Sequence, residues 1–579
     1  MKFDRRDVLK VIGGSAAGAL LTPAPWKLLD DTAIWTQNWS WIPRPLKGEL
    51  RAKHTTCTLC PAGCAVRARC VGDQPFALIG AAGDALCPAG LCAHQLAYIP
   101  QRPAGAVPNV KPEPPVAILD LRPGRTASLA HRAVAARMNA LYLTPPAAEG
   151  ATLEAVSRLA GEPVGFDLAR VKTLVSISTP VLEGWGTPSR ILQRKAEGMR
   201  VVQIERRQSR TAMMADEWIP GDQIPADLPQ RLNDAGPVLA IADGDPASGP
   251  LRSQMVELAA ALSLRFGAEA IVPRRDAPHP PDLGELAPVG ALAGLPDGSI
   301  QTLFVDETSA IASLPWRLIE RKLRPGGKLV AMTASPHGIA RHADVIVPAP
   351  SFLECADDAA VATDSPVATF RVSTPLLPPR EHTVHPVEFL ARLAGCEWKM
   401  AELLEHRAAA IQEDGRGEIA IYESGEKKSA KGEELWKLIA DGAAWMDDAA
   451  PARKWTAPEI GTADPEPEGD PRYPLALVAH GYRGDITSPM LRKLDQESDL
   501  RPAFGEARIH PVTALEYGVR DGRQAYVETA CGSCRLRVRV DSSVAPGTVE
   551  AACGPNLADV CDVAPDGTWS NSRARIQQA

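Results

Sequence analysis

The chain announces its elements by where its apolar residues fall. "VKTLVSIS" is a short apolar strand, "ILQRKAEG" has helical character, and "MRVVQIE" is a second strand. That order predicts a βαβ unit with a right-handed crossover. The same order returns at 301–333 in "IQTLFVDE", "WRLIERKL" and "KLVAMTA", with "ADVIVPA" as one strand more. Near the C-terminus the period changes. Arg535 to Val540 alternates basic and apolar residues, the mark of a strand with one buried face. "AYVETACGSCRLRVRV" therefore predicts a hairpin with its turn at Gly532–Ser533. The expectation is an α/β protein with a β-hairpin near its C-terminus. Neither βαβ unit carries GxGxxG after its first strand, so a nicotinamide site is not supported.

At 579 residues the chain is too long for one core, and three or four domains are expected. With 45% hydrophobic and 23% charged residues it reads as a folded globular protein. A net charge of -7 without a basic block argues against nucleic acid as a partner. The 53 prolines suggest long extended connections.

The first residues follow another pattern. A charged start contains Arg5–Arg6, then an apolar run extends from Val11 to Leu21, too short to span a bilayer comfortably. "DRRDVLK" resembles a twin-arginine export signal. Pro25 directly after Ala24 makes a poor cut site, which leaves the segment available as an anchor. The twin-arginine route carries folded proteins, so the signal predicts a cofactor inserted before export. It also predicts residence at the periplasmic face of the cytoplasmic membrane.

Six of the 12 cysteines lie between residues 57 and 92: Cys57, Cys60, Cys64, Cys70, Cys87 and Cys92. Cys57-x2-Cys60-x3-Cys64-x22-Cys87 puts three thiols on one loop, and a distant fourth closes the site by folding back. Gly63 lets the backbone wrap closely. Four thiolates suit a [4Fe-4S] cluster or a zinc ion. Structural zinc usually pairs two CxxC knuckles, and the second is missing. A disulfide framework would not explain the crowding of half the cysteines into one short stretch. The pattern favours one [4Fe-4S] cluster on Cys57, Cys60, Cys64 and Cys87. Cys70 and Cys92 are extra, as buried thiols or a pair. Cys531 and Cys534 could bridge across the hairpin turn, and with Cys553 and Cys561 nearby a second metal site is conceivable, though a disulfide or plain thiols is the simpler expectation.

These stretches resemble the molybdopterin oxidoreductase superfamily, large subunits carrying a pterin–molybdenum cofactor beside one [4Fe-4S] cluster. "HTTCTLCPAGC" through "LCPAGLCAHQLAYIPQRP" is similar to the cluster segment. "VGFDLARVKTLVSISTPVLEGWGTPSR" with "VVQIERRQSRTAMMADEWIP" is similar to the central α/β unit. "ARHADVIVPAPSFLE" and the barrel stretch from Arg501 to Glu550 follow in family order. The resemblance implies a shortened molybdopterin oxidoreductase (formate dehydrogenase/DMSO reductase-like) fold, and extends the predicted hairpin to an α/β protein with a C-terminal β-barrel. The expected segments are a signal at 1–30, an iron–sulfur domain at 45–110, an α/β domain at 111–235 and a second at 236–398. A helical or linker stretch at 399–469 and a pterin-nucleotide-binding-like barrel at 470–579 complete the chain.

The chain departs from the family in four places. Active members carry Lys or Arg two residues after the fourth cluster cysteine, and here that place is Ala89. Ala104–Pro163, the short interval where a molybdenum ligand would fall, has no cysteine. Asp120, Ser128 and Ser157 lie there without a ligand-like motif, and a surface or cap position is the plain expectation for each. Glu205 replaces the Asp that commonly holds guanine, and Gly221-Asp-Gln-Ile-Pro-Ala-Asp replaces the Pro-Gly-Thr-Asp turn that grips the pterin nucleotide. The chain is also short for the family. Together these imply a shell that keeps the cluster and lacks molybdopterin guanine dinucleotide.

Within the superfamily, "WTQNWSWIPRP", "ILDLRPGRTASLAHR" and "LYLTPPAAEGATLE" resemble the molybdopterin-like large subunits of alternative complex III and menaquinone reductase. That branch implies an electron-transfer and scaffold subunit of a membrane quinone oxidoreductase complex, with no catalytic side chain of its own. The partners implied are a separate ferredoxin-like iron–sulfur subunit, a multi-spanning quinone-binding membrane subunit and a haem c subunit. The alternative is a catalytic molybdenum or tungsten bis-pterin reductase of a small oxyanion or sulfur compound.

Overall fold

A computed structural model describes residues 4–21, 48–99, 101–146, 149–244, 249, 251–308, 314–335, 338–451, 453–456, 458–460, 470–480, 505–552, 560–563, 567 and 573–579. The tryptophan-rich lead-in at 35–45, the end of the signal segment and Cys553 lie outside the described residues. The chain divides into two units, one of residues 1–51 and 70–74, the other of 52–69 and 75–579. The first holds the helix Arg5–Leu21. Among the described residues no helix is long and apolar enough to cross a membrane. The frame of the fold and the loop 57–64 lie in the second unit.

Two parallel sheets and a barrel form its frame. The larger sheet has six strands in the order Val289–Ala291, Leu141–Thr144, Val116–Asp120, Ile300–Asp306, Leu323–Thr333 and Val345–Pro348. Every pairing in it is parallel. The second sheet is also parallel, in the order Val238–Ile241, Thr173–Ile177, Arg200–Glu205, Glu217–Pro220. Both expected βαβ units are present. Helix Pro188–Ala196 crosses between Thr173–Ile177 and Arg200–Glu205, and helix Trp316–Lys322 between Ile300–Asp306 and Leu323–Thr333. Strand order follows partner and not sequence: residues 116–144 join 289–348 in one sheet, and 173–241 form the other. The strands expected within 111–235 therefore divide between two sheets.

Burial on both faces explains why these strands read as apolar runs. In the six-stranded sheet Leu119, Leu303 and Val305 face a core shared with the barrel, while Ile118, Phe304 and Val330 face Phe389 and Leu390 of helix Pro386–Leu393. The closed barrel runs Leu475–His480, Thr548–Ala552, Glu506–Ile509, Gly532–Val540, Gln524–Thr529, Arg573–Gln578. On Gly532–Val540, Cys534, Leu536 and Val538 are buried and Arg535 and Arg537 exposed, the alternation the sequence predicts. The hairpin with Gln524–Thr529 is antiparallel, with Val527 opposite Cys534. No disulfide bridges Cys531 to Cys534.

The carboxyl ends of strands Val116–Asp120 and Ile300–Asp306 are where open α/β folds hold ligands. Here that edge is filled by charge. Asp306 is the register partner of Asp120 on the neighbouring strand. Arg125 donates from Nη2 to Asp306 at 2.8 Å and from Nη1 to Asp357 at 2.8 Å. Arg122 donates to the same Asp357 oxygen at 2.9 Å. Asp120 accepts from Ser128 Oγ at 2.6 Å, the Tyr142 hydroxyl at 2.9 Å and the Arg122 amide at 2.9 Å. Beside it Asp358 accepts from Thr126 Oγ1 and from Arg407 Nη1 at 2.9 Å. All of these acids and arginines are buried.

One sequence expectation is corrected here and one is met: Asp120 is not a surface residue, and Ser128 is a helix cap. Asp120 has no exposed surface, and Ser128 both holds it and caps helix Thr126–Arg137 by accepting from the Arg125 amide. The sequence misses the burial of Asp120 because Asp306, its register partner on the neighbouring strand, comes from far along the chain. Ser157 is a helix residue that donates back to Leu153.

Removing one member of a buried ion network leaves its partners unpaired, at a cost of about 3–5 kcal/mol. Arg125→Met should lower stability by about that amount, read as a reduced urea midpoint against the parent chain. Lys399→Met, on an exposed 3.4 Å pair, should leave it nearly unchanged.

Candidate functional site

The site grows from the loop 57–64 between strands Leu50–Thr56 and Ala65–Val71. The Cys57 amide donates to the Cys64 carbonyl at 2.9 Å, which closes the loop at its base. Gly63 turns it with φ +55°, and a Cβ there would meet Ala359 at 3.0 Å and Arg371 at 3.1 Å, so a side chain is excluded twice over. Cys87 arrives from the other side as the residue before helix Pro88–Cys92. Beyond that helix, buried Arg102 binds Glu354 through two hydrogen bonds of 2.7 and 2.6 Å, which fixes the segment after the cluster loop.

All four sequence-predicted cysteines line one cavity of about 410 Å³. Leu59, Ala62, Ala89, Leu182, Met213 and Met214 give it apolar walls, and Glu183 and Arg210 are its charged members. Cys57 and Cys64 are buried. Burial pushes the Cys57 thiol well up, and the neighbouring thiols Cys60, Cys64 and Cys87 push it further. Burial likewise raises Cys64, with Cys60 and Asp84 adding to it. Thiols raised as Cys57 and Cys64 are favour the protonated form unless a metal compensates their charge.

The spacing of the sulfurs discriminates between metals. A tetrahedral zinc ion at 2.3 Å from each sulfur brings the sulfurs to about 3.8 Å of one another. Among the described residues the one group of three potential ligand atoms within 4.8 Å of one another is Asp120, His131 and Asp306, and no three of the four cysteines meet that distance. The carboxylates of the Asp120 group are already taken up by Arg125, Ser128, Tyr142 and Thr308. Cys70 and Cys92 are buried thiols, and among the described residues there is no disulfide.

Around this cavity several polar groups pair with one another. Arg122 donates to the Thr58 carbonyl within the cluster loop at 2.6 Å, tying the loop to the buried network. Glu183 accepts from the Arg210 amide at 2.8 Å and from Arg207 at 3.3 Å. Glu205 ends its strand with the carboxyl turned inward, accepting the Ser209 amide at 3.0 Å. Asp222, in the variant turn, accepts from Arg206 at 2.9 Å. Ala89 lies buried on the cavity wall, bringing neither charge nor donor.

Residues 485–571 match the family described as Molydopterin dinucleotide binding domain. The fold is that of acetylene hydratase from Pelobacter acetylenicus, which superposes with a TM-score of 0.59 over 91% of this chain and 100% of its own, at 15% identity. Within that fold, the chain is 33% identical over 264 residues to the menaquinone reductase, molybdopterin-binding-like subunit, of Nitratidesulfovibrio vulgaris strain Hildenborough. That match spans 38% of each chain.

Glu205 supplies a prediction. Burial raises its carboxyl from an ordinary 4.5 to about 7, with Arg207 opposing the rise. The folded state then binds the proton more tightly than the unfolded one, so this group costs stability as pH climbs from about 4.5 to 7. Glu205→Gln should flatten the fall of unfolding free energy between those pH values, by roughly 3 kcal/mol at most, in paired urea titrations.

Proposed function

We propose that the chain is the iron–sulfur electron-transfer and scaffold subunit of a membrane-associated, periplasm-facing quinone oxidoreductase complex. It holds one [4Fe-4S] cluster on Cys57, Cys60, Cys64 and Cys87 and carries no molybdenum cofactor. The observation that carries the reading is the convergence of four cysteines on a single apolar cavity whose wall has Ala89 at the place of the family's cation. When bound, the cluster supplies one-electron transfer. The protein's part is to hold the thiolates apart at fixed positions and to exclude water with Leu59, Leu182, Met213 and Met214.

Absence of the pterin is supported by the same contacts that satisfy the chain. A dinucleotide with phosphates needs free donors and cations. Arg122, Arg125 and Arg407 are spent on aspartates, and Glu205 is turned onto Ser209. The relative's printed name places it in a menaquinone reductase, which supports a quinone as the redox partner of the complex. Its partners are then a separate ferredoxin-like iron–sulfur subunit, a multi-spanning quinone-binding membrane subunit and a haem c subunit, as in alternative complex III. The signal-like Arg5–Leu21 supports export by the twin-arginine route.

The second reading, a bis-pterin molybdenum or tungsten reductase, is favoured by the dinucleotide-domain match at 485–571. Elemental analysis separates the two. The anaerobically purified full chain should contain about four iron and four sulfide per molecule and no molybdenum or tungsten. Cys60→Ser and Cys87→Ser should each lose the spin-resonance signal of the reduced cluster. Stoichiometric molybdenum or tungsten, or iron-free protein, would overturn the reading.

A further inference from the structure

Two charges from outside the cluster loop fasten to it on either side of Cys64. Arg371, on strand Thr369–Ser373, donates from Nη1 to the Gly63 carbonyl at 2.8 Å. Asp84, on the turn that leads to Cys87, accepts the Ala65 amide on Oδ2 at 2.8 Å. That same oxygen lies 3.5 Å from Arg371 Nη1. The guanidinium thus holds the residue before Cys64, the carboxylate holds the residue after it, and the two meet across the ligand. Their side chains are only 11% and 18% exposed, so water screens them poorly. The fit is close: the absent side chain of Gly63 is what lets Arg371 lie against the loop.

Reduction adds an electron to a cluster, so a fixed cation nearby favours the reduced form and a fixed anion disfavours it. Ala89 contributes no charge on its side of the cavity. We propose that Arg371 and Asp84 are an opposed pair of positioning residues that set the reduction potential of the cluster, Arg371 raising it and Asp84 lowering it. The proposal rests on the reading that the four cysteines hold an iron–sulfur cluster. It goes beyond loop anchoring, because an anchor has no electrical sign.

The test is a redox titration of the full-length chain, purified without oxygen and poised with dithionite and ferricyanide. The reduced cluster is followed by spin resonance, and iron and sulfide are assayed in each sample. Asp84→Asn keeps an oxygen for the Ala65 amide and removes the charge, and its midpoint should rise. Arg371→Gln should move the midpoint down, and Arg371→Lys should restore it toward the parent value. Should R371Q fail to assemble a cluster, the upward shift of D84N alone decides. Unchanged midpoints in iron-replete variants, or shifts of D84N and R371Q in the same direction, would overturn the tuning role and leave the cluster reading standing. Iron-free parent protein would overturn the cluster reading, and the proposal with it.

Discussion

Three guanidinium groups and four carboxylates are buried at the carboxyl end of the six-stranded sheet, and the rest of the structure is arranged around keeping them neutralised. Charges taken out of water this deeply are tolerable only when each has a partner with good geometry. Arg125 supplies it by joining Asp306 on one strand to Asp357 on a distant short strand. Arg407 does the same for Asp358 from a later helix. Arg122 then extends the network to the Thr58 carbonyl, inside the loop that carries the first three cysteines. The cluster loop is thereby held by the same contacts that close the sheet edge. An edge that binds ligands in open α/β folds has here become an internal strut.

Arg122, Arg125 and Arg407 are neutralised from within. Glu205 is folded onto Ser209, and Ala89 leaves the cavity wall apolar. Beside them, four thiols gather on one cavity.

Some of this was legible before any coordinates. The gathering of Cys57, Cys60, Cys64 and Cys87 on one cavity was, because three of them share a loop whose local geometry the chain writes directly. The βαβ units and the alternating barrel strand were, because period reports which face is buried. Strand partnership was not: nothing in Leu141–Thr144 indicates that it lies beside Val289–Ala291. The ion network was least legible, since Arg125 and Asp357 stand 232 residues apart and each alone resembles a solvated charge. The available hint was compositional, adjacent acids Asp357 and Asp358 set among small apolar residues. Arg371 was hidden for the same reason, 308 residues from the Gly63 carbonyl it holds.

The central claim is a cluster without a pterin, and the most direct measurement is an anomalous-difference map recorded at the iron edge from crystals of the anaerobically purified full chain. The account predicts a single compact iron peak enclosed by Cys57, Cys60, Cys64 and Cys87, with the Arg122–Arg125–Asp357 contacts intact and no dinucleotide density beside them. Pterin density leading to a second, non-iron metal would contradict it.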